Sequence, residues 1–135
     1  MKIGFIGLGN VGGKLANSLL RNKFHLTVRD VDQNLTKSFF KSGANVANSP
    51  KELAEQVDLI ITCLPSPKIC AEVMEGENGI LNGLSKDKIW LEMSTTDEAE
   101  VKRIGEKVIA KEAIPLDGPV SGGCHRAASG NIAIL

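Results

Sequence analysis

Lys2-Ile3-Gly4-Phe5-Ile6-Gly7-Leu8-Gly9-Asn10-Val11-Gly12 opens the chain with five residues of strand character that run straight into G-x-G-x-x-G. Val11, Leu15 and Leu19 then recur at i, i+4 and i+8, one apolar stripe of a helix. The glycine spacing alone is common, but a strand before it and a helix after it give it a physical meaning. Gly7 permits a tight turn, Gly9 lets the backbone come close to a ligand, and Gly12 lets the helix pack on the strand. The helix start offers unpaired N–H groups and a positive dipole end, which suits a pyrophosphate.

Outward from this turn, short apolar runs alternate with segments of helical period. Residues 26–29 read as a second strand, and Leu35 and Phe39 mark a helix that stops near Gly43. Ser49-Pro50-Lys51-Glu52 is a helix start, with Ser49 as N-cap, Pro50 at the first helical position and Glu52 closing a capping box. Residues 59–64 form the strongest strand; a helix over about residues 68–74 and a Gly- and Asn-rich loop around 76–83 follow. Residues 89–93 read as the next strand. Thr95-Thr96-Asp97-Glu98 repeats the capping-box spacing and opens a helix with Val101, Ile104 and Val108 on one face. Residues 114–116 are another short strand, and residues 132–135 read as a strand that stops where more chain is expected. The expected fold class is α/β, a Rossmann-type doubly wound, mostly parallel sheet with helices on both faces. Residues 1–135 read as one dinucleotide-binding domain, truncated at its end.

Composition narrows the function. The 135 residues carry 16 Lys plus Arg against 16 Asp plus Glu, with 42% hydrophobic residues, so an ordinary folded domain is expected rather than disorder. Zero net charge leaves no broad basic face for a phosphate backbone, and four Phe, one Trp and no Tyr are a poor base-stacking set; nucleic acid is not an expected partner. The apolar run at 59–64 is broken by Thr62 and falls far short of the roughly 18 residues of a membrane span. Cys63, Cys70 and Cys124 form no C-x-x-C pair, so reduced thiols in a cytoplasmic protein are expected, or a matrix protein if a mitochondrial transit peptide has been removed. Cys63, inside an apolar run, reads as a buried inert thiol, and no metal site is expected.

Asp30 lies 18 residues beyond Gly12 at the end of the second strand, where an acidic side chain accepts from ribose hydroxyls and repels a 2′-phosphate. NAD is therefore expected over NADP. Arg29 beside it is either a solvated charge or a partner for a phosphate.

Ligands of an open parallel sheet sit beyond the carboxyl ends of its strands. Leu64-Pro65-Ser66-Pro67 follows the strongest strand, and its prolines read as a stiff wall. Ser94-Thr95-Thr96 follows the strand at 89–93, and its hydroxyls serve a cofactor, a helix cap, or both. Asp117-Gly118-Pro119-Val120-Ser121-Gly122-Gly123 exposes backbone N–H groups and one hydroxyl, a fit for a small carboxylate. His125 and Arg126 come next; a lone His there reads first as a solvated side chain.

Four motifs in this order, Gly7-Leu8-Gly9-Asn10-Val11-Gly12, Leu64-Pro65, Ser94-Thr95 and Asp117 to Gly123 as DGPVSGG, resemble the β-hydroxyacid dehydrogenase family, nearest its 3-hydroxyisobutyrate dehydrogenases. The resemblance covers essentially the whole chain. It implies NAD held by Gly7, Leu8, Gly9, Asn10, Val11, Gly12, Asp30, Leu64, Pro65, Ser94 and Thr95, and a substrate carboxylate held by Ser121, Gly122 and Gly123. Such enzymes oxidise a small β-hydroxy acid to its semialdehyde and are homo-oligomers with a further all-helical domain. Their catalytic lysine sits in a G-x-G-x-x-x-K-x-x-x-N context that no lysine here has, so it is expected beyond Leu135, and these residues alone are expected to be inactive. Arg126 stands where relatives keep a small residue, a partner for a substrate carboxylate or phosphate. The competing readings are a non-catalytic dinucleotide-binding module and an NADPH-dependent semialdehyde or imine reductase.

Overall fold

The computed structural model describes residues 1–94 and 97–135. β1 (Lys2–Ile6) passes through the glycine turn into α1 (Gly12–Arg21) and returns as β2 (His25–Arg29). Then come α2 (Gln33–Lys41), β3 (Asn45–Val46), α3 (Pro50–Gln56), β4 (Leu59–Thr62) and α4 (Pro67–Glu75). A 3-10 turn (Ile80–Asn82), β5 (Ile89–Glu92), α5 (Glu98–Ala110) and β6 (Ile114–Asp117) complete the alternation. Among the described residues these six strands form one parallel sheet in the order β3-β2-β1-β4-β5-β6. Strand order reverses between β1 and β4, so their carboxyl ends flank a crevice.

The strands are apolar because both faces of the sheet are covered. Adjacent residues of β4 point to opposite sides: Ile60 joins Ile6 and Trp90 against Leu53, Met74, Ile104 and Val108 of α3, α4 and α5. Ile61 joins Ile3, Phe5 and Val28 against Ala16 of α1 and Phe39 of α2. Two cores, one on each face, cover the sheet.

Helix starts follow side-chain chemistry. Ser49 Oγ accepts from Glu52 N at 3.1 Å, and the Glu52 carboxylate accepts from Asn48 N at 2.6 Å, a capping box whose return bond lands one residue early. Ser66-Pro67 repeats the Ser49-Pro50 signature: Ser66 Oγ accepts from Ile69 N at 3.2 Å, so Pro67 is the first residue of α4 rather than part of a wall. At α5 the cap is Asp97, which accepts from Ala99 N at 2.8 Å, instead of the expected Thr95; Thr95 and Thr96 lie outside the described residues. A carboxylate at that position both caps and meets the positive helix end. α2 ends as expected, with Gly43 at φ 105° just past Ser42.

The strand read at residues 132–135 is present as a short one, but outside the parallel sheet. β7 (Val120–Ser121) and β8 (Ala133–Ile134) pair antiparallel in a separate two-stranded sheet, with α6 (Gly123–Ser129) between them. The apolar run at 132–135 therefore does not extend the parallel sheet. Only Gly118 and Pro119 join β6 to β7, and a parallel crossover takes about a dozen residues. Among the described residues no helix is long and apolar enough to cross a membrane.

Candidate cofactor site

The three glycines of the turn have different reasons to be glycine. At Gly7, φ is 101° and a Cβ would lie 2.2 Å from the Cys63 carbonyl oxygen. At Gly12 a Cβ would lie 1.9 Å from the Gly7 carbonyl oxygen. Both are demanded by the fold itself. A Cβ at Gly9 would meet nothing within 4 Å, and Gly9 faces a cavity of about 440 Å³ over the ends of β1, β2 and β4. The missing side chain there leaves room for a ligand and serves no packing purpose. Among the described residues the N–H groups of Gly9, Asn10, Val11 and Gly12 meet no hydrogen-bond acceptor, and α1 has no side-chain cap. Four donors and a helix dipole converge on the mouth of the cavity, an arrangement that binds anions.

Asp30 does more than face outward. Its Oδ2 accepts from Leu8 N at 2.8 Å and its Oδ1 from Asp32 N at 2.8 Å, so the carboxylate ties the glycine turn to the end of β2. Each oxygen can accept a second hydrogen bond, which leaves capacity for a diol. Arg29 lines the same cavity.

One wall escaped the sequence reading. Val31, Leu35, Pro50, Ile69 and Val73 also line the cavity and give it apolar surface suited to the face of a planar ring. Val31 is 90% exposed and Ile69 38% exposed. The available signal was an apolar residue placed directly after the acidic strand end, where a solvated turn favours polar types.

On the other side of β1, Leu64 and Pro65 line the cavity. Ser94 does not cap α5: its Oγ accepts from Leu64 N at 2.7 Å, and its own N–H donates to Glu92 Oε1 at 2.7 Å. Buried Ser94 thus fixes the loop after β4. Cys63 is half-buried rather than buried, and it lines the cavity. Burial first, and the Glu92 charge second, push its thiol up to about 11. A rise from 9.0 leaves roughly a hundredfold less thiolate at neutral pH than an unperturbed thiol has. Iodoacetamide labelling of Cys63 at pH 7.5, followed by peptide mass spectrometry, should therefore be slow and should accelerate up to about pH 11. A rate within tenfold of free cysteine at pH 7.5 would contradict this inertness.

The expected carboxylate loop is not brought to this cavity. Ser121 lies in β7, Gly122 (φ 125°) caps α6 and Gly123 (φ 71°) begins it, and all three are exposed. A Cβ on Gly122 would lie 2.8 Å from Cδ of Arg126, whose stem folds back over that backbone. α6 is held on α1 by a bond from the Arg21 guanidinium to the Ala128 carbonyl at 2.8 Å. His125 is exposed.

Residues 2–135 match the family model of the NAD binding domain of 6-phosphogluconate dehydrogenase. The mitochondrial 3-hydroxyisobutyrate dehydrogenase of Mus musculus is 41% identical over 133 residues, which are 98% of this chain and 40% of that protein. The chain thus spans about two-fifths of the length of this curated relative. Among solved structures, 3-hydroxyisobutyrate dehydrogenase from Salmonella typhimurium superposes with a TM-score of 0.91 at 26% identity, covering 99% of this chain and 47% of that one. Psf3, solved with NADP+ and 2-OPP, shares the fold with a TM-score of 0.92 at 22% identity over 98% of this chain and 47% of its own. An imine reductase from Pseudomonas sp. shares it with a TM-score of 0.80 at 22% identity over 93% and 43%.

Proposed function

The chain belongs to the family of the NAD binding domain of 6-phosphogluconate dehydrogenase, and on that premise we propose that it is the cofactor-holding part of a dehydrogenase that moves hydride between a small β-hydroxy acid and NAD. The observation that carries this reading is Gly9, a glycine that the packing does not require, set among four unpartnered N–H groups at a cavity mouth. The N–H groups of residues 9–12 hold the pyrophosphate. Asp30 accepts from the adenosine ribose with the lone pairs that Leu8 and Asp32 leave free, and Val31, Leu35 and Ile69 cover the adenine face. Leu64 and Pro65, with Ser94 behind Leu64, border the nicotinamide half, and the hydroxyl of Thr95 is assigned to bind that same half. When bound, the nicotinamide supplies the hydride acceptor.

Ser121, Gly122 and Gly123 orient the substrate carboxylate in a site that a further helical domain completes and that works as a homo-oligomer. Residues 1–135 alone are the dinucleotide-binding domain. They bind cofactor without turnover, because the general base, usually worth about 10² to 10⁴-fold, has no counterpart among these lysines. Mixed with 3-hydroxyisobutyrate and saturating NAD, the chain should give no absorbance rise at the NADH band above background; steady turnover would place a base within it.

Cofactor choice has a direct test. Calorimetric titration should give NAD+ a Kd at least about tenfold below that of NADP+, since a 2′-phosphate would meet the Asp30 carboxylate. Asp30→Asn should narrow the ratio and weaken both cofactors, because one amide oxygen replaces two acceptors and Leu8 N or Asp32 N loses its partner. Equal affinities in the unaltered chain would remove Asp30 from this role. One observation favours a second reading, an NADP-dependent reductase: Arg29 lines the cavity beside Asp30 and is placed to meet a phosphate.

A further inference from the structure

Glu92 is the last residue of β5, is fully buried, and serves no step described so far. Its Oε1 accepts from Ser94 N at 2.7 Å and its Oε2 from the Cys70 thiol at 2.8 Å. Both oxygens are thus engaged by neutral partners, a backbone N–H and a thiol. Among the described residues no cation stands within 4.0 Å of it. A buried carboxylate left without a counter-ion is costly, and a cationic ligand nearby offsets that cost.

The sheet says which ligand group that is. Ile6, Thr62, Glu92 and Asp117 stand in register across β1, β4, β5 and β6 at the carboxyl edge. Asp30 lies on the opposite side of β1, at the end of β2. A dinucleotide laid across the switch point with its adenosine at Asp30 puts its other half over β4 and β5. Glu92 stands two hydrogen bonds behind that wall: it holds Ser94, Ser94 holds Leu64, and Leu64 lines the cavity. Cys63, also in the wall, feels the Glu92 charge.

We propose that Glu92 is a buried electrostatic determinant that biases this site toward the oxidised, cationic nicotinamide and against the reduced, neutral one. The proposal rests on reading the cavity as a dinucleotide site. The two cofactor forms differ at the ring in one positive charge, and a buried, weakly screened carboxylate distinguishes them by Coulomb attraction alone.

The test measures Kd for both redox forms by calorimetry, with whichever of the NAD and NADP pairs binds tighter, on the unaltered chain, Glu92→Gln and Glu92→Met. Both variants remove the charge, but only Gln keeps an acceptor for Ser94 N. The ratio of reduced to oxidised Kd should fall about fivefold in both. A ratio within about twofold of the unaltered chain in either variant overturns the proposal, as does a change in Met alone, which would make Glu92 only a support for Ser94. Binding of neither form by the unaltered chain would sink the dinucleotide reading itself. Near-ultraviolet circular dichroism of the single Trp90, packed in the same core, reports whether each variant keeps its fold. If neither does, the unaltered chain decides: the ratio should hold between about 0.05 and 0.5 M salt, and a ratio that drifts to unity would assign the preference to surface charge.

Discussion

Gly9→Val should abolish cofactor binding while the domain melts within about 3 °C of the unaltered chain, the small shift of a surface substitution. The argument rests on what surrounds the position. A Cβ there meets no protein atom within 4 Å, and Gly9 carries no positive φ that an L residue would strain to adopt. The branched side chain would instead stand in the cavity mouth, across the approach to the N–H groups of residues 9–12. Losing two charge-assisted bonds to a pyrophosphate is enough to weaken Kd by roughly a hundredfold or more. Calorimetry and a thermal melt on the same sample separate the two outcomes. Retained binding would mean that the anion lies elsewhere; a collapse of the melt would mean that the glycine serves the fold.

Gly12→Ala should do the reverse. Three residues along the same motif, the added methyl would sit 1.9 Å from the Gly7 carbonyl oxygen and 3.4 Å from Cβ of Cys63. Neither neighbour can yield cheaply, because Gly7 is itself pinned by its N–H to the Arg29 carbonyl at 3.2 Å and by the backbone of Cys63 behind it. Relief requires α1 to lift from β1 and β4, which undoes burial of Ala16 and its neighbours. A cost of about 3 kcal/mol, at the upper end for overpacking, lowers Tm by roughly 10 °C. Urea and thermal melts check it, and a Tm within about 3 °C of the unaltered chain would show that the strand–helix contact gives more readily than its distances imply. Together the two variants split one motif into a glycine kept for a ligand and a glycine kept for packing.

Much of the fold was legible because its signals are local. The period-2 and period-3.6 runs located the main strands and helices, Ser49-Pro50 and Gly43 marked a start and a stop, and the glycine motif gave the switch point. Where the local reading erred, a competing local signal was present: Ser66-Pro67 repeats Ser49-Pro50, and Asp97 caps α5 where Thr95 was expected.

The sequence by itself determined the alternating α/β architecture, the anion-binding turn and an acidic strand end beside it, because backbone conformation at glycine and the burial period of each element are set by neighbours in the chain. Only the tertiary structure decided what those residues touch. Asp30 and Leu8 are 22 positions apart, as are Glu92 and Cys70, so nothing local shows that the first pair clamps the glycine turn or that the second buries a carboxylate behind the cavity wall. Apolar character at 133–134 predicted a strand but not its partner, since a period of two names the faces of a strand and not the edge it will meet. The Ser121 loop likewise has the composition of a carboxylate site, and where it sits, with Ser121 in β7 and Gly123 opening α6 beside α1, depends on long-range contacts such as the Arg21–Ala128 bond.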